Sequence, residues 1–332
     1  MNEALANLPS LRGDLIPRSR KSLGWAVLAL VVLLVGAEIT LRCAFGLGRP
    51  VLYTADSQFG YLPAPNQDVR RFGANVHING FGMRSDDVPS LPVRPGIRLL
   101  FIGDSLTFGT TTVNQDRIFT ELIKTGMRSR SGRPVEVLNA SAGGWAPENE
   151  YQFLRTRGTF GALVVIFTIN TNDLDQPFSE WKKNALTFPT ANPRSAIEEL
   201  WNLYVLPRLR SGISVTDPGA VSETVPDANR NAKVLWALEA ARDYAEGRGA
   251  HFAIIYSPST FADERSALWA TTVGNLIDWA KLRNIKLIDM RSAYSRYPHD
   301  AVYKDDVHLR PFGHTLVAAE FMKYVDEMAY LR

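Results

Sequence analysis

The longest uncharged stretch runs LGWAVLALVVLLVGA from Leu23 to Ala37, and apolar positions continue past Glu38 as far as Leu41. At about 1.5 Å per helical residue, such a run approaches the roughly 30 Å of a bilayer core. It predicts one membrane-spanning helix. Glu38 and Arg42 stand four residues apart, a spacing that pairs them on one helix face at the membrane edge. Arg12, Arg18, Arg20 and Lys21 precede the run, and Arg42 and Arg49 follow it. This asymmetry predicts a cytoplasmic tail over residues 1–22 and a single-pass anchor over 23–45. The rest of the chain then lies outside, as a periplasmic domain on a bacterial inner membrane. The same run has two plainer readings: a cleaved signal peptide, for which Val35-Gly36-Ala37 supplies small residues, and a buried core helix.

Beyond the anchor the pattern changes. Residues 46–95 carry Gly and Pro at short intervals without sustained periodicity, and read as a linker followed by a small irregular subdomain. From 96 to 332, short apolar runs at 97–102, 135–139, 163–168, 252–256 and 285–288 are separated by helical patterns. The runs lack polar alternation, as strands covered on both faces do. Asp116 is placed to cap a helix presenting Phe119, Leu122, Ile123 and Met127, and the last helix presents Leu316, Val317, Phe321 and Val325. The alternation predicts an α/β fold with a parallel sheet of about five strands between two helical layers. An insert at about 174–230 interrupts it, long enough to read as a lid or binding element. Within the insert Ser195 and Glu198 have capping-box spacing. Its aromatic residues Phe188, Trp201 and Tyr204 suit either an acyl pocket or core.

Composition narrows the class. A chain of 332 residues and 36.9 kDa, 45% hydrophobic and 21% charged, has room for one globular domain with an appendage and is no disordered polymer. A net charge of +3 is too small to argue for a nucleic-acid partner. The single cysteine, Cys43, excludes an intrachain disulfide framework, a Cys-rich zinc site and an iron–sulfur cluster. Arg42 immediately before it does not suit a lipid-attachment motif.

Open α/β sheets bind ligands beyond the carboxyl ends of their strands. At those ends stand Gly103-Asp104-Ser105-Leu106, Ser141-Ala142-Gly143-Gly144, Asn170-Thr171-Asn172-Asp173 and, ahead of the last helix, Asp305-Asp306-Val307-His308. These are the parts of an acyl-transfer site. A serine hydroxyl needs an imidazole to take its proton, and the imidazole needs an acceptor to fix its tautomer. Ser105, His308 and Asp305 supply the three, with Asp306 a rival for the last place. The tetrahedral intermediate needs donors aimed at its oxyanion. The amides of Ser105 and Gly144 and the side-chain amide of Asn172 supply these.

The four segments together resemble the SGNH, or GDSL, family of serine esterases and acyltransferases. FIGDSLTFG at 101–109 is similar to the family's first block, VLNASAGG at 137–144 to its second, TINTND at 168–173 to its third and DDVHLRPFGH at 305–314 to its last. VHINGFGMRSDD at 76–87 resembles the lead-in of membrane-anchored members. The resemblance implies a flavodoxin-like three-layer α/β/α sandwich and a nucleophilic Ser105. Two positions depart from the pattern: Asn170 and Ser141 stand where the family commonly has glycine. The second departure leaves Gly143 and Gly144 as rival oxyanion donors, and block spacing favours Gly144.

Three functions follow as expectations. The first is hydrolysis of an ester, or of an O-acylated carbohydrate or lipid, through an acyl-Ser105 intermediate. The second is transfer of the same acyl group to an exported glycan. The third is a non-catalytic glycan-binding domain. His308 and His314 with Asp305 and Asp306 lack the HExxH type of zinc spacing, so no metal is expected. No GxxxxGK[ST] or post-strand GxGxxG exists, so no nucleotide cofactor is expected either. The G-x-S-x-G elbow is absent as well.

Overall fold

Every residue of the strands at 97–103 and 164–170 is buried, as strands with a helical layer on each face require. A computed structural model describes residues 19–93, 95–184, 186–210, 227–259, 267–328 and 331. Helix α1 (Ser19–Phe45) comes first, followed by two antiparallel hairpins, β1 (Tyr53–Asp56) with β2 (Gly60–Pro63) and β3 (Gln67–Arg71) with β4 (Ala74–Ile78). The main sheet is built from β5 (Ile97–Gly103), β6 (Val135–Ser141), β7 (Val164–Asn170), β8 (His251–Ser257) and β9 (Lys286–Asp289). All its pairings are parallel, in the order β6-β5-β7-β8-β9. That is the flavodoxin-like order, and the layering is α/β/α.

Helices α2 (Ser105–Phe108), α3 (Phe119–Ser131), α4 (Pro147–Arg157), α5 (Ala228–Glu246), α6 (Ala267–Leu282) and α7 (Pro311–Glu327) complete the layers. Phe119, Ile123 and Met127 of α3 and Phe321 and Val325 of α7 pack on one face of the sheet with Leu99, Phe101 and Ile166. Phe153 and Leu154 of α4, Leu238 and Ala241 of α5 and Leu276 of α6 pack on the other with Leu100, Phe167 and Ile254. Ile118 and not Asp116 stands at the start of α3, because a 3₁₀ turn at Gln115–Arg117 intervenes. Asp116 Oδ1 instead accepts from Asn114 Nδ2 at 2.6 Å.

Residues 46–95 differ from the expected linker and irregular subdomain. Their hairpins bury Tyr53, Phe59, Tyr61, Val76 and Ile78 in the same core as α4 and β7. Strands of four or five residues broken by Gly and Pro are too short for periodicity to reveal them. The β3–β4 turn holds Phe72 at φ +48° and Gly73 at +83°, the geometry that matches strand twist in a two-residue loop.

Within α1 the segment Ser22–Phe45 spans 24 residues, and its most apolar window has a mean hydropathy of 2.2 and is unburied. Its length and composition suit a membrane span and a signal sequence alike. Its last turns dock on the insert: Glu38 accepts the amides of Ala196 at 2.9 Å and Ile197 at 3.1 Å, and pairs with Arg42 at 2.6 Å. Beside it, Arg71 meets Glu199 in a buried pair at 2.5 Å, and Glu199 also takes the amide of Gly48. Ser195 caps the helix at Ala196–Leu200 by accepting from Glu198 N at 3.0 Å, whereas Glu198 turns back to the amide of Arg194. The rest of the insert, 211–226, lies outside the described residues.

Candidate active site

The sheet order places a switch point at β5, since the chain leaves to β6 on one side and returns to β7 on the other. Such a point leaves a crevice at the carboxyl ends of its strands. The register aligns those ends, with Gly103 opposite both Ser141 and Thr168. The segments that follow β5, β6 and β7 therefore meet at one rim, and Asp305–His308 reaches it from the turn before α7.

Ser105 Oγ lies 2.8 Å from His308 Nε2. On the far side of the ring, Nδ1 is 2.9 and 3.0 Å from the two oxygens of Asp305. Asp305 also accepts the amides of His308 at 2.8 Å and Val307 at 3.0 Å, which bends the segment so that both ends of the imidazole are engaged. Partial burial works against the Asp305 charge. The His308 ring and the two amides outweigh it and hold the carboxyl at about 2. Asp305 is thus an anion throughout the neutral range, while Asp306 is exposed beside it.

Ser105 opens α2, so its amide has no intrahelical acceptor. The amides of Gly143 and Gly144 donate to no acceptor among the described residues. Asn172 has its side-chain oxygen toward Ser259 Oγ at 3.4 Å, which leaves the NH₂ for another acceptor. The two glycines are required for different reasons. Gly144 has φ +74°, whereas a Cβ on Gly143 would sit 2.9 Å from Phe188 Cζ.

The departures from the family pattern acquire a physical account. Asn170 donates through Nδ2 to Asp104 Oδ2 at 2.9 Å and accepts the Asn172 amide through Oδ1 at 2.7 Å. Its φ is not positive, so no glycine is needed. Ser141 ends β6 in extended backbone and hydrogen-bonds Asn139 Oδ1.

Asp104 caps α2 by accepting from Leu106 N at 2.8 Å. Burial raises its carboxyl, only partly offset by that amide, the His308 charge and the Asn170 and Ser105 side chains. Asp173 holds the β7 end through the amide of Asn170 at 2.8 Å. Burial, and then the neighbouring Asp104 and Glu150, push its carboxyl well up. Trp145 packs in core against Phe59 and Phe153. His314 stacks on Phe119 and accepts that residue's amide at 3.3 Å.

Several residues at the site were not singled out by sequence. Tyr61 of β2 donates its hydroxyl to Gly143 O at 2.6 Å and stands 3.1 Å from Ser179 Oγ. Arg84, in the 76–87 segment, donates to the carbonyls of Phe108, Thr110 and Val113 at 2.6–2.7 Å and so braces the loop after α2. Of the three insert aromatics named from the sequence, Phe188 lies beside Gly143. Tyr204 packs edge-on to Phe72 near the end of α1, and Trp201 is exposed.

No family model and no curated protein matches the chain. Among solved structures it is similar to the acetyl xylan esterase AlAXEase, at 15% identity and TM-score 0.46, over 69% of this chain and 100% of that one. It is also similar to a member of the lipolytic protein G-D-S-L family from Veillonella parvula DSM 2008, at 16% identity and TM-score 0.43, over 70% and 100%. An acetylxylan esterase of Geobacillus stearothermophilus aligns at 16% identity and TM-score 0.41, over 70% and 95%.

Proposed function

We propose that the protein is a serine ester hydrolase of the SGNH type, held to a membrane by α1. The observation that carries this reading is the chain Ser105 Oγ–His308 Nε2 at 2.8 Å and His308 Nδ1–Asp305 at 2.9 Å. Ser105 Oγ attacks the ester carbonyl while its proton passes to Nε2. The carbonyl oxygen becomes an oxyanion received by the amides of Ser105 and Gly144 and by Asn172 Nδ2. The imidazolium, balanced by Asp305, returns the proton to the leaving oxygen, and the C–O bond breaks to give alcohol and acyl-Ser105. Water then gives a proton to Nε2 and attacks the acyl carbon, and the proton returns to Ser105 as the acid departs.

The docking of Glu38 onto the insert supports an α1 retained with the domain and not removed as a signal peptide. On the sequence asymmetry, the domain faces the outside of a bacterial inner membrane. Intact-mass spectrometry of the full chain in detergent, incubated with an activated ester, tests the chemistry. An acyl adduct on the wild type that is absent from Ser105→Ala is the expected result. An adduct in both proteins, or in neither, refutes the nucleophile. Adding an oligosaccharide shows whether the acyl group leaves as free acid, as hydrolysis requires, or on the sugar.

A further inference from the structure

We propose that Phe188 forms the acyl wall of the site and restricts Ser105 to esters of short acyl groups, acetyl foremost; this rests on the ester-hydrolase reading. The wall comes from the insert and is held on several sides. The Phe188 ring stacks on Tyr61 at 4.9 Å and 23°, and tilts against Tyr53 at 4.9 Å and 59°. Its carbonyl receives Trp181 Nε1 at 3.1 Å, and the next carbonyl, of Pro189, receives the amide of Tyr53 at 2.8 Å. Tyr61 is itself fixed by its hydroxyl on Gly143 O.

The ring stands close to the nucleophile. A methyl group built on Gly143 would lie 2.9 Å from Phe188 Cζ, 3.0 Å from Cε1 and 3.7 Å from Ser105 Cβ. Phe188 and Ser105 therefore flank the same small space. The geometry around a tetrahedral carbon on Ser105 Oγ assigns that space. The leaving oxygen faces His308 Nε2, which must protonate it, and the oxyanion faces the donors at Ser105, Gly144 and Asn172. The acyl carbon takes the remaining direction, along Gly143 toward the ring edge. The ring edge limits how far the acyl group reaches in that direction. A longer chain has to displace a ring stacked on one tyrosine and packed against another, and in a tight pocket each methylene carries roughly 10-fold or more in kcat/KM.

The test uses the full chain in detergent with two ester series. In the first, p-nitrophenyl acetate, butyrate and hexanoate vary the acyl group. In the second, acetates of alcohols of different size vary the leaving group. For the wild type, kcat/KM falls by roughly 100-fold from acetate to butyrate, two methylenes longer, and further to hexanoate. Phe188→Ala raises the hexanoate-to-acetate ratio roughly 10-fold or more, and Phe188→Leu, which keeps an apolar side chain in place, gives an intermediate ratio. The ratios within the alcohol series stay as in the wild type. Variants that hydrolyse acetate with an unaltered acyl ratio overturn the proposal, as does a shift seen only in the alcohol series. A wild type that takes hexanoate as readily as acetate overturns it too. Failure of the ester-hydrolase reading looks different: the wild type then cleaves no member of either series faster than Ser105→Ala does.

Discussion

Asn170 Nδ2 donates to Asp104 Oδ2 at 2.9 Å, tying the end of β7 to the residue that precedes Ser105. Through Oδ1 the same side chain fixes the amide of Asn172, so one residue sets the spacing of two parts of the site. Asn170→Ala is expected to lower kcat about 100-fold with little change in KM, the cost of a small misplacement of reacting groups. Steady-state kinetics on p-nitrophenyl acetate checks this, and a kcat close to wild type would confine Asn170 to a structural role.

Asn172 is the proposed oxyanion donor that a substitution removes cleanly. Asn172→Ala should cost roughly 10²–10³ in kcat, the usual loss for one such donor. The acyl-Ser105 adduct should still form, only more slowly, in a time-resolved mass experiment. A kcat equal to wild type would make Asn172 a turn residue.

Asp305 and Asp306 are adjacent in sequence and differ in position, one on the imidazole and one exposed. Asp305→Asn is expected to lower kcat by about 10⁴, since the amide would favour the wrong tautomer. Asp306→Asn should leave kcat unaltered. The opposite ranking in a side-by-side assay would reassign the partner of His308.

Two buried groups predict opposed pH slopes of stability. Burial, then the charges of Arg84 and His308, lowers the His314 imidazole from 6.5 to about 3. The unfolded chain therefore binds the proton first, and stability is lost as pH falls below 6.5. By linkage that loss is about 2 kcal/mol between pH 7 and pH 5. Glu150 is the reverse case: burial, then Asp104, raises its carboxyl well above 4.5, and neither oxygen has a hydrogen-bond partner among the described residues. Its proton is held more tightly in the fold, so stability is penalised as pH rises above 4.5. Calorimetry at pH 5 and pH 8 should show His314→Gln flattening the acid side. Glu150→Gln should raise Tm more at pH 8 than at pH 5, by roughly 2–4 °C per kcal/mol. A uniform Tm shift across pH in either variant would refute the linkage.

Arg84 is buried to 1% exposure and serves three carbonyls, one at the end of α2 and two in the segment after it. Its burial, opposed by the neighbouring Tyr53 and Glu121, draws the guanidinium down to about 9, which leaves it a cation at neutral pH. Arg84→Met strands those carbonyls and should cost about 2–3 kcal/mol in chemical denaturation. An unchanged denaturation midpoint would show that the loop is held by other means.

The five main strands were legible because a strand covered on both faces is largely apolar without alternation, a signal that needs no partner to be read. β5 and β7 also continue to Gly103 and Asn170, a little past their apolar runs, because pairing and not hydrophobicity ends them. The hairpins at 53–78 left no such trace. Their strands are short, and their buried residues become core only once α4 and the sheet lie beneath them. Ser105, Asp305 and His308 were named from residue types and spacing within local blocks. Tyr61 and Arg84 were missed because their partners are backbone carbonyls, which carry no sequence signature.

What the sequence determined by itself is therefore local: an apolar helix at the start, strands and helices in alternation, and four polar segments at strand ends. Tertiary structure decided the rest. It chose Asp305 over Asp306 through the bend that two backbone amides impose, seated Phe188 and not Tyr204 beside Gly143, and carried α1 onto the insert through Glu38. Those choices rest on directional contacts between residues far apart in the chain, and such contacts exist only after the sheet has brought the strand ends to one rim.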